Sequence, residues 1–133
     1  MIACYGQKNV ELLQEIISDY RKMSLQVDVV VVSNIPRNLG ADVEVIVGLP
    51  SENPWSLPFA HREVFARNVD RYDLFAYSED DMFATEDNIQ AFVELSASLS
   101  DDEIAGFLRY EVDSNGQKSL PDIHGGYRWR PES

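Results

Sequence analysis

"VDVVVVSN", residues 27–34, carries four valines in a row and then stops on Ser33-Asn34. β-branched side chains favour extended backbone. A strand wetted on one side alternates apolar with polar residues, whereas this one is apolar without interruption. Both of its faces therefore need cover, as in a parallel sheet with helices packed above and below.

Upstream, Ile2 to Tyr5 forms a short apolar stretch stopped by Gly6, a first strand. Asn9 is placed to cap a helix in which Val10, Leu13, Ile17 and Tyr20, with Leu12 and Ile16 beside them, recur at helical spacing. Downstream, "IPRNLGAD" (35–42) breaks the valine strand and "VEVIVGLP" (43–50) gives a third. The Pro-rich stretch from residue 51 leads into a second helix, with Ser56 as its expected cap and Pro58 in its first turn.

Residues 73–77 read as a fourth strand, expected in mid-sheet. "TEDNIQAFVELSASL" (85–99) reads as a third helix capped by Thr85, with Ile89, Phe92, Val93 and Leu99 inward. "SDDE" (100–103) has a capping-box pattern, yet "GFLRYEV" (106–112) alternates like a strand. One helical turn followed by a strand satisfies both, and Asn115-Gly116 then marks a two-residue type I′ hairpin turn. The tail from residue 120 is loop-like, with a short strand expected over 127–130. The expected fold is a Rossmann-like layered α/β sheet with helices on both faces and a C-terminal hairpin, in a single domain over 1–133.

The length allows one domain with a real core but hardly two. A formal net charge of −12 opposes nucleic acid and anionic lipid as partners, and favours a cation or a cation-carried anion. Cys4, the single cysteine, excludes an internal disulfide and reads as a small apolar residue of the first strand. No apolar run approaches membrane-spanning length, and no basic segment precedes a signal-type apolar core at the N-terminus. The expectation is a soluble, cytoplasmic protein with no transmembrane segment.

"YDLFAYSEDDM" (72–82) carries the chemistry. Its apolar run ends in Glu79, Asp80 and Asp81, three adjacent acids that disfavour one another's ionisation. One reading is a solvated turn. The other follows from position, because ligands of such sheets sit outside the carboxyl ends of the strands, where Tyr5-Gly6 and Ser33-Asn34 also lie. Carboxylates two apart can converge on one Mg²⁺ or Mn²⁺ completed by water and a diphosphate, while the residue between them points elsewhere.

With these residues in view, "YDLFAYSEDDMFATEDNIQAF" resembles the donor half of GT-A fold glycosyltransferases, in which an apolar strand ends in a DxD or EDD metal motif. The resemblance covers most of residues 1–112, including "IACYGQ" and the valine strand. It implies a metal-dependent transfer of sugar from a nucleotide-diphosphate sugar to an acceptor hydroxyl, with Mn²⁺ or Mg²⁺ as cofactor. It implies Asp81 and Glu79 as metal ligands, Glu79 and Asp80 near ribose or metal-bound water, and Tyr5 and Gly6 along the base. Members continue into an acceptor-binding half, and the sequence ends at Ser133 without a full one. A non-catalytic nucleotide and metal-binding domain, or a fragment of a larger transferase, is the alternative.

Several residues carry two readings. His61 falls between Leu57, Val64 and Phe65 on the helical wheel, as a hydrogen-bonded core histidine or as a contact to the sugar nucleotide. Arg62 can reach a phosphate or pair with a surface acid. Ser33 joins the nucleotide candidates by its strand-end position. His124 is a solvated loop residue or a third metal ligand, and Tyr127 to Arg130 suit stacking on sugars or bases. No catalytic base is recognisable; Asp113 and Asp122 are the late acids outside obvious caps. A haloacid-dehalogenase loop would need its acids on the first strand, and a receiver would need a lysine after a later strand. Neither is present.

Overall fold

The structure, a computed structural model, describes residues 1–120. The chain divides into two compact units, Met1–Ile89 and Gln90–Ser133. In the first, β1 (Ile2–Cys4), β2 (Val29–Ser33), β3 (Val43–Val47) and β4 (Ser78–Glu79) form a sheet in the order β3-β2-β1-β4. Every neighbouring pair is parallel. Ala3 stands level with Val32 on one side and Glu79 on the other.

The valine strand is covered on both faces, as its pattern demands. Ile2, Cys4, Val29, Val31 and Val43 pack on Leu13, Ile16 and Ile17 of α1 (Val10–Tyr20). Ala3 and Val32, on the opposite face, pack on Leu57, with Ile46, Leu49, Ala60 and Tyr77 around them. The i, i+3, i+4 spacing of the three α1 residues puts them on one stripe. Truncating the fully buried Leu13 to Ala would cost about 2–5 kcal/mol in lost burial and cavity. After α1, the Arg21 guanidinium turns to Asp42 just before β3, donating Nε to Oδ2 at 2.6 Å and Nη2 to Oδ1 at 2.5 Å.

Leu57 belongs to a 3-10 segment, Pro54–Ala60, that runs directly into α2 (His61–Arg67). The expected cap, Ser56, is not the start. Asn53 caps instead, its Oδ1 accepting from the Trp55 amide at 3.0 Å, and Pro54 presets the first turn. Ser56 is buried, and its Oγ accepts from the Ser51 amide.

Two expectations for the fourth strand are corrected. It covers Ser78–Glu79 rather than 73–77, and it lies at the edge of the sheet among the described residues. Its span follows its partner, since β1 pairs with it only at Ile2 and Ala3. Leu74–Tyr77 approach the sheet before the ladder begins, although the Met1 ammonium donates to the Ala76 carbonyl at 2.6 Å.

α3 (Glu86–Ser98) starts as its sequence predicts. Thr85 Oγ1 accepts from the Asn88 amide at 3.2 Å and Asn88 Oδ1 from the Thr85 amide at 3.0 Å. In the second unit Phe92 stacks on Phe107 with centroids 5.3 Å apart, while Val93, expected inward, is 49% exposed. The strand expected over 106–112 shrinks to β5 (Glu111–Val112), antiparallel to β6 (Lys118–Ser119).

The hairpin exists, but its turn is not type I′. That type needs positive φ at both central residues, and among the described residues only glycines have it, Gly116 at +79°. The loop is Ser114-Asn115-Gly116. It is closed by the Gly116 amide on the Asp113 carbonyl at 2.9 Å and the Asp113 amide on the Gln117 carbonyl at 3.0 Å.

Candidate functional site

Chain direction makes the carboxyl end of β1 special. From β1 the sheet grows to β2 and β3 on one side and to β4 on the other, so β1 and β4 flank a topological switch point.

On the β2 side, the backbone leaves β1 through Gly6, whose φ of +69° lets the chain turn and whose amide donates to Asn34 Oδ1 at 2.8 Å. Ser33 is fully buried, and its Oγ accepts from Arg37 Nε at 2.8 Å. Arg37 also donates through Nη2 to the Gly6 carbonyl. Tyr5 is half exposed beside this knot.

On the β4 side, the Met82 amide donates to the Glu79 carbonyl at 3.1 Å, closing a turn with Asp80 and Asp81 at its tip. The three acids have different fates. Asp80 is 8% exposed; its amide donates to the Ala3 carbonyl and its Oδ1 accepts from Asn9 Nδ2 at 2.8 Å. Asn9 precedes α1 but makes no side-chain cap to it, contrary to its sequence expectation. Its backbone (φ −108°, ψ 24°) is not the extended conformation that aims a cap's side-chain oxygen at the first turn, and its Nδ2 donates to Asp80. Burial, and next the neighbouring Asp80 carboxylate, push the Cys4 thiol up to about 12, with Arg37 pulling weakly the other way. Cys4 is a neutral, buried thiol, as its sequence context predicts.

Glu79 and Asp81 are exposed on either side of the inward Asp80. Two outward carboxylates suit a hard divalent ion whose remaining positions are filled by water and phosphate oxygens. Among the described residues no group of three or more His, Cys, Asp or Glu side chains could hold a metal by itself.

Not every candidate reaches this edge. His61 is half buried, with Nδ1 at 2.6 Å from the Pro58 carbonyl and its ring 5.0 Å from that of Tyr77. Tyr77 precedes Ser78, which stands level with Ile2, so His61 lies toward the amino end of β1, away from Gly6. Arg62 is exposed, its guanidinium 4.9 Å above the Phe59 ring. Asp113 is committed to its hairpin, its Oδ1 accepting from the Asn115 and Gln117 amides, and these bonds hold its carboxyl below the usual carboxylate range. Asp122, His124 and residues 127–130 lie outside the described residues.

Arg37 is the residue that sequence reasoning missed. Its signal was available, as a lone cation four positions after the last residue of the clearest strand, within "SNIPRN".

No family model, curated protein or solved structure matches the chain. Among the described residues, no helix is long and apolar enough to cross a membrane.

Proposed function

We propose that residues 1–89 form the donor-binding part of a metal-dependent glycosyltransferase of GT-A type, taking a nucleotide-diphosphate sugar at the carboxyl end of β1. One observation carries this reading: the end of β1 is flanked by opposite charges, with Arg37 on the β2 side and the outward Glu79 and Asp81 on the β4 side. A diphosphate travelling with Mn²⁺ or Mg²⁺ carries the complementary pair of charges. In a chain of net charge −12, a bare diphosphate would be repelled.

Glu79 and Asp81 would hold the ion, Asp80 fixes the turn that presents them, and Tyr5 and Gly6 border the space for the base. When bound, the ion supplies charge neutralisation for the departing nucleoside diphosphate. The engagement of Asp113 by its own hairpin favours a second reading, a domain that binds the donor without turning it over.

Titration of the chain with UDP and GDP, with Mn²⁺ and then with EDTA, tests the proposal. Binding that needs the metal is expected. Equal affinity in metal and chelator, or no binding of any nucleoside diphosphate, would overturn it.

A further inference from the structure

Arg37 differs in its surroundings from the other lysines and arginines of the described residues. Among the described residues it is the only Lys or Arg that is not exposed. Arg21, Lys22, Arg67 and Arg109 each pair with a carboxylate; Lys8, Arg62, Arg71 and Lys118 do not but are exposed to water. Among the described residues, Arg37 alone of the lysines and arginines is both withdrawn from solvent and without a carboxylate within ion-pair distance. Its partners are neutral oxygens, Ser33 Oγ and the Gly6 carbonyl. These use Nε and one hydrogen of Nη2. Nη1 and the second Nη2 hydrogen make no hydrogen bond among the described residues.

Partly desolvating a guanidinium without a counter-anion is unfavourable, and neutral oxygens compensate it less well than an anion does. In so acidic a chain, a carboxylate partner would have been easy to supply. The two anchors also hold the planar group in one orientation beside the carboxyl ends of β1 and β2, which limits the ordering needed when an anion arrives.

We infer that Arg37 is an anion-recognition residue, whose free fork takes a phosphate oxygen pair of the ligand bound at the carboxyl end of β1. The naming of that ligand as a nucleoside diphosphate rests on the function proposed above; the anion site itself rests on Arg37, Ser33 and Gly6. Arg37 would then read the diphosphate from the β2 side, independently of the acids of the β4 side.

Calorimetry on the full chain with inorganic pyrophosphate, which has no base to recognise, and separately with UDP and GDP, tests this against Arg37→Gln and Arg37→Lys. The parent is expected to bind pyrophosphate in the presence of Mn²⁺. Arg37→Gln should weaken it at least tenfold, and Arg37→Lys, which keeps charge but not the fork, should fall between. Equal pyrophosphate affinity in parent and Arg37→Gln, or no pyrophosphate binding by the parent, overturns the assignment. Nucleotide binding that survives Arg37→Gln unchanged leaves the function proposed above standing without Arg37. Pyrophosphate binding that depends on Arg37 while UDP and GDP fail supports the anion site and removes the nucleotide. Should Arg37→Gln melt below the parent, Arg37→Lys decides, and an affinity equal to the parent's there overturns the assignment.

Discussion

Asn9 donates its side-chain amide to Asp80 across 2.8 Å, tying the start of α1 to the turn that follows β4. Asp80 is therefore a structural acid between two outward ones. Asp80→Ala should cost about 1–3 kcal/mol, because it strands a partly buried amide donor. Asp81→Ala, on the exposed tip, should stay within about 0.5 kcal/mol of the parent. Urea unfolding of the two variants checks the contrast, and equal losses would show that Asp80 bears no special load.

Asp81→Asn keeps the side chain's shape and removes its charge. The ligand-free variant should be at least as stable as the parent, since one of three adjacent acids is neutralised. With Mn²⁺ and UDP or GDP, the parent's melting temperature should rise and the variant's should not. Identical shifts in both proteins would move the metal away from Asp81.

Gly40 has a φ of +107°, and a Cβ there would meet Arg21 Nη2 at 2.9 Å and Asp42 Oδ1 at 3.0 Å. Gly40→Ala puts a side chain on left-handed backbone, while the exposed tips of Arg21 and Asp42 can shift aside, and should cost about 1–3 kcal/mol through backbone strain. Thermal unfolding measures it, and an unchanged melting temperature would mean that the loop gives way freely.

The Arg21 guanidinium also holds the Asp42 carboxyl below its usual range. A depressed folded value contributes stability that is present above the ordinary carboxylate range and lost as pH falls through the depressed value. The parent's advantage over Arg21→Gln should accordingly be steady at neutral pH and shrink on acidification. A gap that widens in acid would contradict the assignment.

At Gly116 a Cβ would meet nothing within 4 Å, so the φ of +79° is the whole obstacle. Gly116→Val should weaken the hairpin by about 1–2 kcal/mol through left-handed backbone alone. Faster hydrogen exchange at the Asp113 amide, with the first unit unaffected, is the expected signature.

The sheet was legible where one chemical pattern dominated. Val29–Val32 announced burial on both faces, and Leu13, Ile16 and Ile17 announced the stripe of α1. Boundaries depended on partners that a local reading does not see. The run Leu74–Tyr77 looks like a strand by composition, but the strand's span follows its partner, and β1 pairs with it only at Ile2 and Ala3. Asn9 looks like a cap by composition, but its backbone leaves the extended conformation a cap needs and its side chain is turned to Asp80, far along the chain. The hairpin was read from Asn115-Gly116 alone, and the Asp113 carboxylate two residues earlier chose the longer loop. At the site, the acids were visible because charge clusters stand out in a sequence. Arg37 was not, since a single arginine in a loop becomes distinctive only when its burial and neutral partners are seen.

The joining of β4 to β1 sets how durable the charged edge can be. The Ser78 and Asp80 amides donate to the Met1 and Ala3 carbonyls, and Asn9 and Asp80 meet across a separation of 71 positions. Ordering so long a loop carries an entropic cost that grows only slowly with length but must be met by whatever lies at its end. Here that is a strand of two residues. Brief detachment of this hem would disperse Glu79 and Asp81 while β1, β2 and β3 stay paired, with Arg37 left in place. Any ligand spanning both halves of the edge would act as a clasp, lengthening the time for which the acids and the arginine face one another.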